Sequence, residues 1–261
     1  MQDIILYILA GASVGFVVGM TGVGGGSFMT PILLGFGFPP ATAIGTDLLY
    51  AAITKSGGVI THARQSTVEW KVVALLVASS VPASLITTLV LRHLQKTGFD
   101  YSELLTQTLG IMLVMTALVV LFRTFLIRER QQLANSSIGE FERRYAGRLT
   151  FAMGIVLGVM VTLSSVGAGA FGATALMMLY PRMPMIRVVG TDLAYAVPLT
   201  AVAGLGHMQL GHVDYWLLLS LIAGSLPCIW LGTKAANRVP EKIMQRVIAT
   251  ILLILGIRYV L

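Results

Sequence analysis

Along this chain apolar residues come in runs of about twenty, separated by short polar joints, which is the length a helix needs to cross about 30 Å of hydrocarbon. Residues 42–60, 72–91, 104–122, 188–206, 215–232 and 243–261 read as six full spans, the last with Arg246 and Arg258 able to snorkel toward the headgroups. Two further stretches are interrupted. Residues 4–20 run into Gly22-Val23-Gly24-Gly25-Gly26 before a short piece at 27–38, and residues 149–163 run into Ser164-Ser165-Val166-Gly167-Ala168-Gly169 before 170–180. Clustered glycines unwind a helix, and unwound backbone at membrane depth persists only inside protein or beside a watery cavity. The pattern predicts an all-α polytopic membrane protein with two broken helices or helical hairpins, and it places function at the breaks.

The pattern also repeats. Gly45-Thr46-Asp47-Leu48 returns as Gly190-Thr191-Asp192-Leu193, an offset of 145 residues, and the same offset carries Gly22 to Gly167, Gly24 to Gly169, Pro39 to Pro184, Tyr50 to Tyr195, His62 to His207 and Pro82 to Pro227. Residues 1–122 and 149–261 are therefore expected to be two transmembrane repeats joined by a basic cytoplasmic linker, 123–148. With the N-terminus outside and each broken element folded back as a hairpin, fourteen of the eighteen Lys and Arg fall inside, Arg92, Lys96 and Arg258 fall outside, and Lys55 lies within a span. One hairpin plus three spans is an odd number of net crossings, so the second repeat should lie upside down relative to the first and both termini should face outside. Inverted repeats of this kind serve many secondary transporters as two halves that rock around a site near the bilayer midplane.

Composition agrees with the spans. Hydrophobic residues make up 56% of the 261 and charged residues 11%, against about 25% charged in soluble domains. The net charge of +7 sits mostly beside apolar runs, where cations anchor topology, so nucleic acid is not an expected partner. A single cysteine, Cys228, excludes a disulfide framework and a multi-thiolate metal site. The opening Met1-Gln2-Asp3 lacks the positive region of a cleaved signal peptide, and the first apolar stretch is expected to be retained. Neither a cofactor nor a bound metal is expected.

Hairpins entering from opposite faces would bring the two glycine tracts together. Short helices starting near Ser27 and Ala170 would then aim backbone N–H groups and positive dipole ends at one point, which suits an anion. Gly22, Gly24, Gly25, Gly26, Ser27, Gly167 and Gly169 are candidate substrate-binding residues on this reading. The alternative is that the glycines only permit close helix packing, as the four-residue spacings Gly11, Gly15, Gly19 and Gly154, Gly158 suggest for their own helices. Asp47 and Asp192 lie about 8 Å inside equivalent spans, as a proton or cation coupling pair or as carboxylates satisfied by nearby helix starts. Thr46 and Thr191 offer hydroxyls to a ligand or bond back to their own helices. Lys55 would hold an anion, share a cavity with Asp47, or snorkel. His62 and His207 end equivalent spans as proton shuttles or interfacial anchors. Trp70, Tyr215, Trp216 and Trp230 fit an aromatic belt.

Two paired signatures, Gly19-Met20-Thr21-Gly22-Val23-Gly24-Gly25-Gly26-Ser27 with Pro31, and Ala43-Ile44-Gly45-Thr46-Asp47-Leu48, resemble the TauE/SafE sulfite exporter family, also called the four-toluene sulfonate uptake family. The second copies, Gly167-Ala168-Gly169 and Gly190-Thr191-Asp192 followed by Ala196-Val197-Pro198-Leu199-Thr200, extend the resemblance over nearly the whole chain. It implies a carrier of about eight spans in the bacterial inner membrane for sulfite, thiosulfate or an organosulfonate. Ser164 and Ser165 stand where the first tract has Gly19 and Met20, so the two halves need not contribute equally. An anion channel would need the same glycine tips without alternation. An intramembrane aspartyl protease would also place two aspartates in spans, but both follow Gly-Thr here instead of the Gly-x-Gly-Asp setting of that chemistry. No catalytic residues are assigned.

Overall fold

The computed structural model describes residues 2–21, 26–133, 137–235 and 241–260, and among these the secondary structure is helical with no strand. The helices are α1 (Gln2–Thr21), α2 (Gly26–Gly35), α3 (Pro40–Arg64), α4 (Trp70–Lys96), α5 (Ser102–Leu133), α6 (Ser137–Ser164), α7 (Ala170–Leu179), α8 (Met185–Gln209), α9 (Tyr215–Ala235) and α10 (Glu241–Val260). Their order repeats, so that α6 to α10 follow the pattern of α1 to α5. The match is closest at α3 and α8, whose first and last residues are each offset by 145 and which both start behind a proline in extended backbone, Pro39 at φ −56° and Pro184 at φ −58°.

Among the described residues five helical stretches are long and apolar enough to cross a membrane: Trp70–Lys96, Ser102–Phe122, Tyr145–Ser164, Met185–Gln209 and Tyr215–Lys234. The set differs from the six spans read in the sequence. Tyr145–Ser164 was expected as a piece of a broken element only fifteen residues long, yet it has 20 residues and reaches about 30 Å. Residues 42–60 lie in α3, whose Gly, Thr, Asp and Lys dilute its apolar character, and the run from Ala43 to Leu48 is buried in protein. Residues 243–260 fall in α10, whose side chains are described only over 246–259, a stretch shorter than the 18 residues a candidate span needs. The linker is not a plain loop. Helix α5 runs on to Leu133 and α6 begins at Ser137, so its described residues extend those two helices.

The packing is reciprocal between copies. Helix α1 lies along α9 and its counterpart α6 lies along α4, while α5 pairs with α10 and α3 with α8. Small residues make the first two pairs possible. A Cβ at Gly11, Gly15 or Gly19 would strike the backbone of Leu221, Ser225 or Ile229, and one at Gly154 or Gly158 would meet Leu76 and Ser79 or Ser80. These glycines act in packing, as their spacing implied. The contact pairs Gly15–Ser225 and Gly158–Ser80 show that the serines are offset by 145 but the glycines by 143. The second copy therefore carries two extra residues between Gly158 and Gly167, a stretch that includes Ser165.

Helices α3 and α8 run antiparallel. Gly45, near the start of α3, sits against His207 Cβ in the last turn of α8 and His212 O just past it, and Gly190, near the start of α8, sits against His62 in the last turn of α3 and Thr67 O just past it. Neither of the two apolar cores belongs to one repeat. One draws on α3, α4 and α5 together with α6, α7 and α8, and the other joins α1, α2 and α5 to α9 and α10. The outer surface stays apolar, with Ile86, Leu89, Leu219 and Ile254 each about 60% exposed, as a lipid-facing surface requires. Trp70, Tyr215, Trp216 and Trp230 are exposed near helix ends, and Lys234 stacks 3.4 Å over the Trp230 ring.

Candidate functional site

The second break is described in full and it is buried. Helix α6 stops where Ser165 adopts φ 60°, and Gly167 and Gly169 follow at φ 124° and 147°, values that glycine tolerates and side-chain residues resist. Ser164 holds the turn, its Oγ donating to Met160 O at 2.7 Å and accepting from Val166 N at 3.2 Å. Gly172 N and Ala173 N return to Gly167 O and Gly169 O, which ties the first turn of α7 to the break.

Lys55 of the first copy reaches into this break of the second. Its Nζ donates to Ala168 O at 2.7 Å, and the residue is only 6% exposed. The carbonyl uses one of three ammonium donors. The two buried carboxyl groups, Asp47 and Asp192, are the charges whose fields act on Lys55, so α3, α8 and the break converge on one cation. Snorkelling is excluded for this lysine by its burial and its bond to Ala168.

The two aspartates are differently dressed. Asp47 Oδ2 accepts from Thr30 Oγ1 at 2.5 Å, while Oδ1 faces Ser165 Oγ and neither atom completes an aligned hydrogen bond. Asp192 Oδ1 also has no partner, and together with the Tyr195 hydroxyl it lies against Gly172, where any added Cβ would collide with both. Each carboxyl thus accompanies the short helix that follows its own copy's break: Thr30 belongs to α2 and Gly172 to α7. Where the first copy has Lys55 the second has Thr200, which bonds its own helix at Ala196 O. Among the described residues the site carries one resident cation and two carboxyl groups.

Other sequence candidates take places around this centre. Thr46 Oγ1 accepts from Asp214 N at 3.2 Å and Thr191 Oγ1 from Glu69 N at 3.0 Å, so each threonine anchors the loop that follows the other copy's long helix. His62 Nδ1 pairs with Thr67 Oγ1 at 2.8 Å. His207 is fully buried with Nε2 on Thr162 O at 2.9 Å, and its Nδ1 lies 3.3 Å from Nδ1 of His212, which in turn meets the Tyr101 hydroxyl at 3.1 Å. Burial holds His212, in the loop before α9, below the ordinary imidazole value. Gly22, Gly24 and Gly25 lie outside the described residues, and so do the surroundings of Gly26 and the side chain of Ser27. Gly167 and Gly169 shape the break.

Thr30, Ser165, Gly172 and Tyr195 were not picked out as site residues. Tyr195 carried a signal in its match to Tyr50. Ser165 carried one only in hindsight, within the stretch where the register shifts by two residues. The loop bonds of Thr46 and Thr191 give a simple test. Thr46→Val and Thr191→Val should each cost about 1 kcal/mol, the usual net worth of a hydrogen bond, seen as lower unfolding midpoints in detergent, and the effects should add in the double variant. A neutral effect at either position would deny that bond its anchoring role.

Comparison with known proteins settles the kinship of this arrangement. The family described as Sulfite exporter TauE/SafE matches residues 7–259. This chain belongs to the TauE/SafE family. Among similar TauE/SafE-like sequences, the probable membrane transporter protein YjnA of Bacillus subtilis (strain 168) is 35% identical over 253 residues, covering 97% of this chain and 98% of its own. YdhB of the same organism, also named a probable membrane transporter protein, is 27% identical over 244 residues, covering 93% and 94% of the two chains. The probable membrane transporter protein MJ0441 of Methanocaldococcus jannaschii is 25% identical over 273 residues, covering 97% and 93%. No solved structure matches the chain.

Proposed function

We propose that this protein is a secondary transporter that moves a small sulfur-containing anion, such as sulfite, thiosulfate or an organosulfonate, across the bacterial inner membrane by alternating access between two inverted repeats, with proton coupling. The observation that carries the reading is the Lys55 ammonium, buried between the repeats on the glycine break of the other copy. It offers donors and positive charge to an anion at a place reached from both halves. The antiparallel course of α3 and α8 supports inversion, because an even number of crossings per repeat would set these equivalent helices parallel. The basic linker 123–148 then lies in the cytoplasm and both termini outside. On this reading Gly22, Gly24, Gly25, Gly26 and Ser27 of the first tract and Gly167 and Gly169 of the second are the candidate contacts for the anion, and Thr46 and Thr191 hold the loops around them.

Charge balance argues for coupling. Two carboxyl groups and one ammonium already leave a net negative charge when ionised, and an anion added to them at low dielectric is repelled unless a cation enters too. Protons on Asp47 and Asp192 provide it with no metal site, and His62 and His207 stand at the helix ends as carriers. Purified protein in liposomes should exchange labelled thiosulfate or sulfite against unlabelled anion, saturably, and an inward-acidic or outward-acidic gradient should drive net flux in the direction of proton movement. Flux that does not saturate would indicate a channel, and flux indifferent to collapse of the pH gradient would remove the coupling.

A further inference from the structure

Among the described residues several contacts are made twice, once in each copy, and one is not. Thr46 and Thr191 bond equivalent loop amides, His62 and His207 each pair with the side chain five residues on, and Gly15 and Gly158 take equivalent serines. The exception is a tyrosine and a serine. Tyr50 of α3 bonds Ser225 of α9 through their hydroxyls at 2.6 Å, with both residues buried. Their equivalents at the 145-residue offset are Tyr195 of α8 and Ser80 of α4. These are wholly buried too, on helices that pack together, yet the Ser80 hydroxyl has no partner and the Tyr195 hydroxyl meets only the Asp192 carboxyl, without completing an aligned bond. A buried hydroxyl without an aligned bond is costly, and on adjoining helices Ser80 and Tyr195 could satisfy each other.

We infer that Tyr195 and Ser80 bond in the opposite conformational state, and that the Tyr50–Ser225 bond opens as this one closes. The two pairs are alternative clasps, one holding α3 to α9 and the other α8 to α4. In the state described here the first is shut, and the Tyr195 hydroxyl instead lies beside Asp192 on the first turn of α7. A repeat pair related by pseudo-symmetry interconverts by exchanging the conformations of its halves, so a contact present in one half only marks what the exchange alters. Closure of the second clasp would draw Tyr195 away from Asp192 and so tie the clasp to the central carboxyl. The inference rests on the alternating-access reading above.

Spin labels on the lipid-facing positions Leu89→Cys of α4 and Leu205→Cys of α8, in a Cys228→Ser background in nanodiscs, would report the α4–α8 separation of the full chain. The chain without clasp substitutions should show two separations. Tyr50→Phe, which keeps the ring and removes one hydroxyl, should enrich the α4–α8 closed population about fivefold, and Tyr195→Phe should deplete it by a similar factor. Ser225→Ala and Ser80→Ala should reproduce the two shifts without altering a tyrosine. Two populations that move the same way in both tyrosine variants, or in neither, would overturn the clasps while leaving alternation intact. A single population throughout would overturn alternation, and the clasps with it.

Discussion

Replacing Lys55 by Met should abolish saturable anion exchange in liposomes, with a loss of roughly a hundredfold or more, while the protein still inserts and purifies as a single species. The size follows from what remains. Met matches the length of the lysine stem and fills its space, but it leaves the Ala168 carbonyl without its donor and Asp47 and Asp192 without a positive neighbour. Removing one member of a buried, hydrogen-bonded set of charges typically costs 2–5 kcal/mol, about thirtyfold to several thousandfold in an equilibrium. An anion entering that pocket would meet carboxyl groups alone. Lys55→Arg should retain part of the exchange, because it keeps the charge but cannot place its broader head on Ala168 O in the same way. Exchange that survives in Lys55→Met at the original rate and saturation would move the anion site away from the second break.

The largest structural loss is expected from Gly224→Leu. Helices α1 and α9 approach so closely that a Cβ at Gly224 would drive into the backbone at Ile8 and Ala12, and backbone cannot turn aside as a side-chain tip can. Overpacking a buried contact costs about 3 kcal/mol at the upper end of its usual range, and here the whole α1–α9 seam must part. In detergent Gly224→Leu should unfold well below the parent and give poor yields of monodisperse protein. Gly57→Ala is the control. It lies in α3 with nothing within 4 Å of the position its Cβ would take, so it should unfold at or slightly above the parent midpoint. Equal unfolding midpoints in the two variants would mean that interhelical contact does not govern Gly224.

Much of this architecture could be read along the chain because the bilayer imposes a simple rule. Apolar runs of fixed length become helices, and clustered glycines interrupt them. The second break illustrates this: residues 164–169 were expected to separate two helices, and α6 ends at Ser164 while α7 begins at Ala170. The reading failed where a rule based on lipid contact no longer applied. Helix α3 is too polar for a simple span because it is sheltered by other helices, and α6 extends beyond its apolar run because polar residues can continue a helix past the membrane surface. The packing role of Gly11, Gly15 and Gly19 was legible from their four-residue spacing, whereas the role of Gly172 was not, since only the fold brings Tyr195 and Asp192 to its bare Cα.

The sequence by itself determined the membrane-bound helical class, the duplication at an offset of 145, the positions of the interruptions and, through its motifs, the family. Each of these depends on local composition or on similarity between stretches of one chain. The tertiary structure alone decided that Lys55 of one repeat lands on Ala168 of the other, that Thr46 and Thr191 hold loops, that Ser165 faces Asp47, and that each core mixes both copies. These contacts join residues more than a hundred positions apart, and a pattern of local periodicity contains no term for which distant helices meet. The two-residue shift in register before the second break is the clearest case, because it becomes visible only when Gly15 and Gly158 are seen resting on equivalent serines.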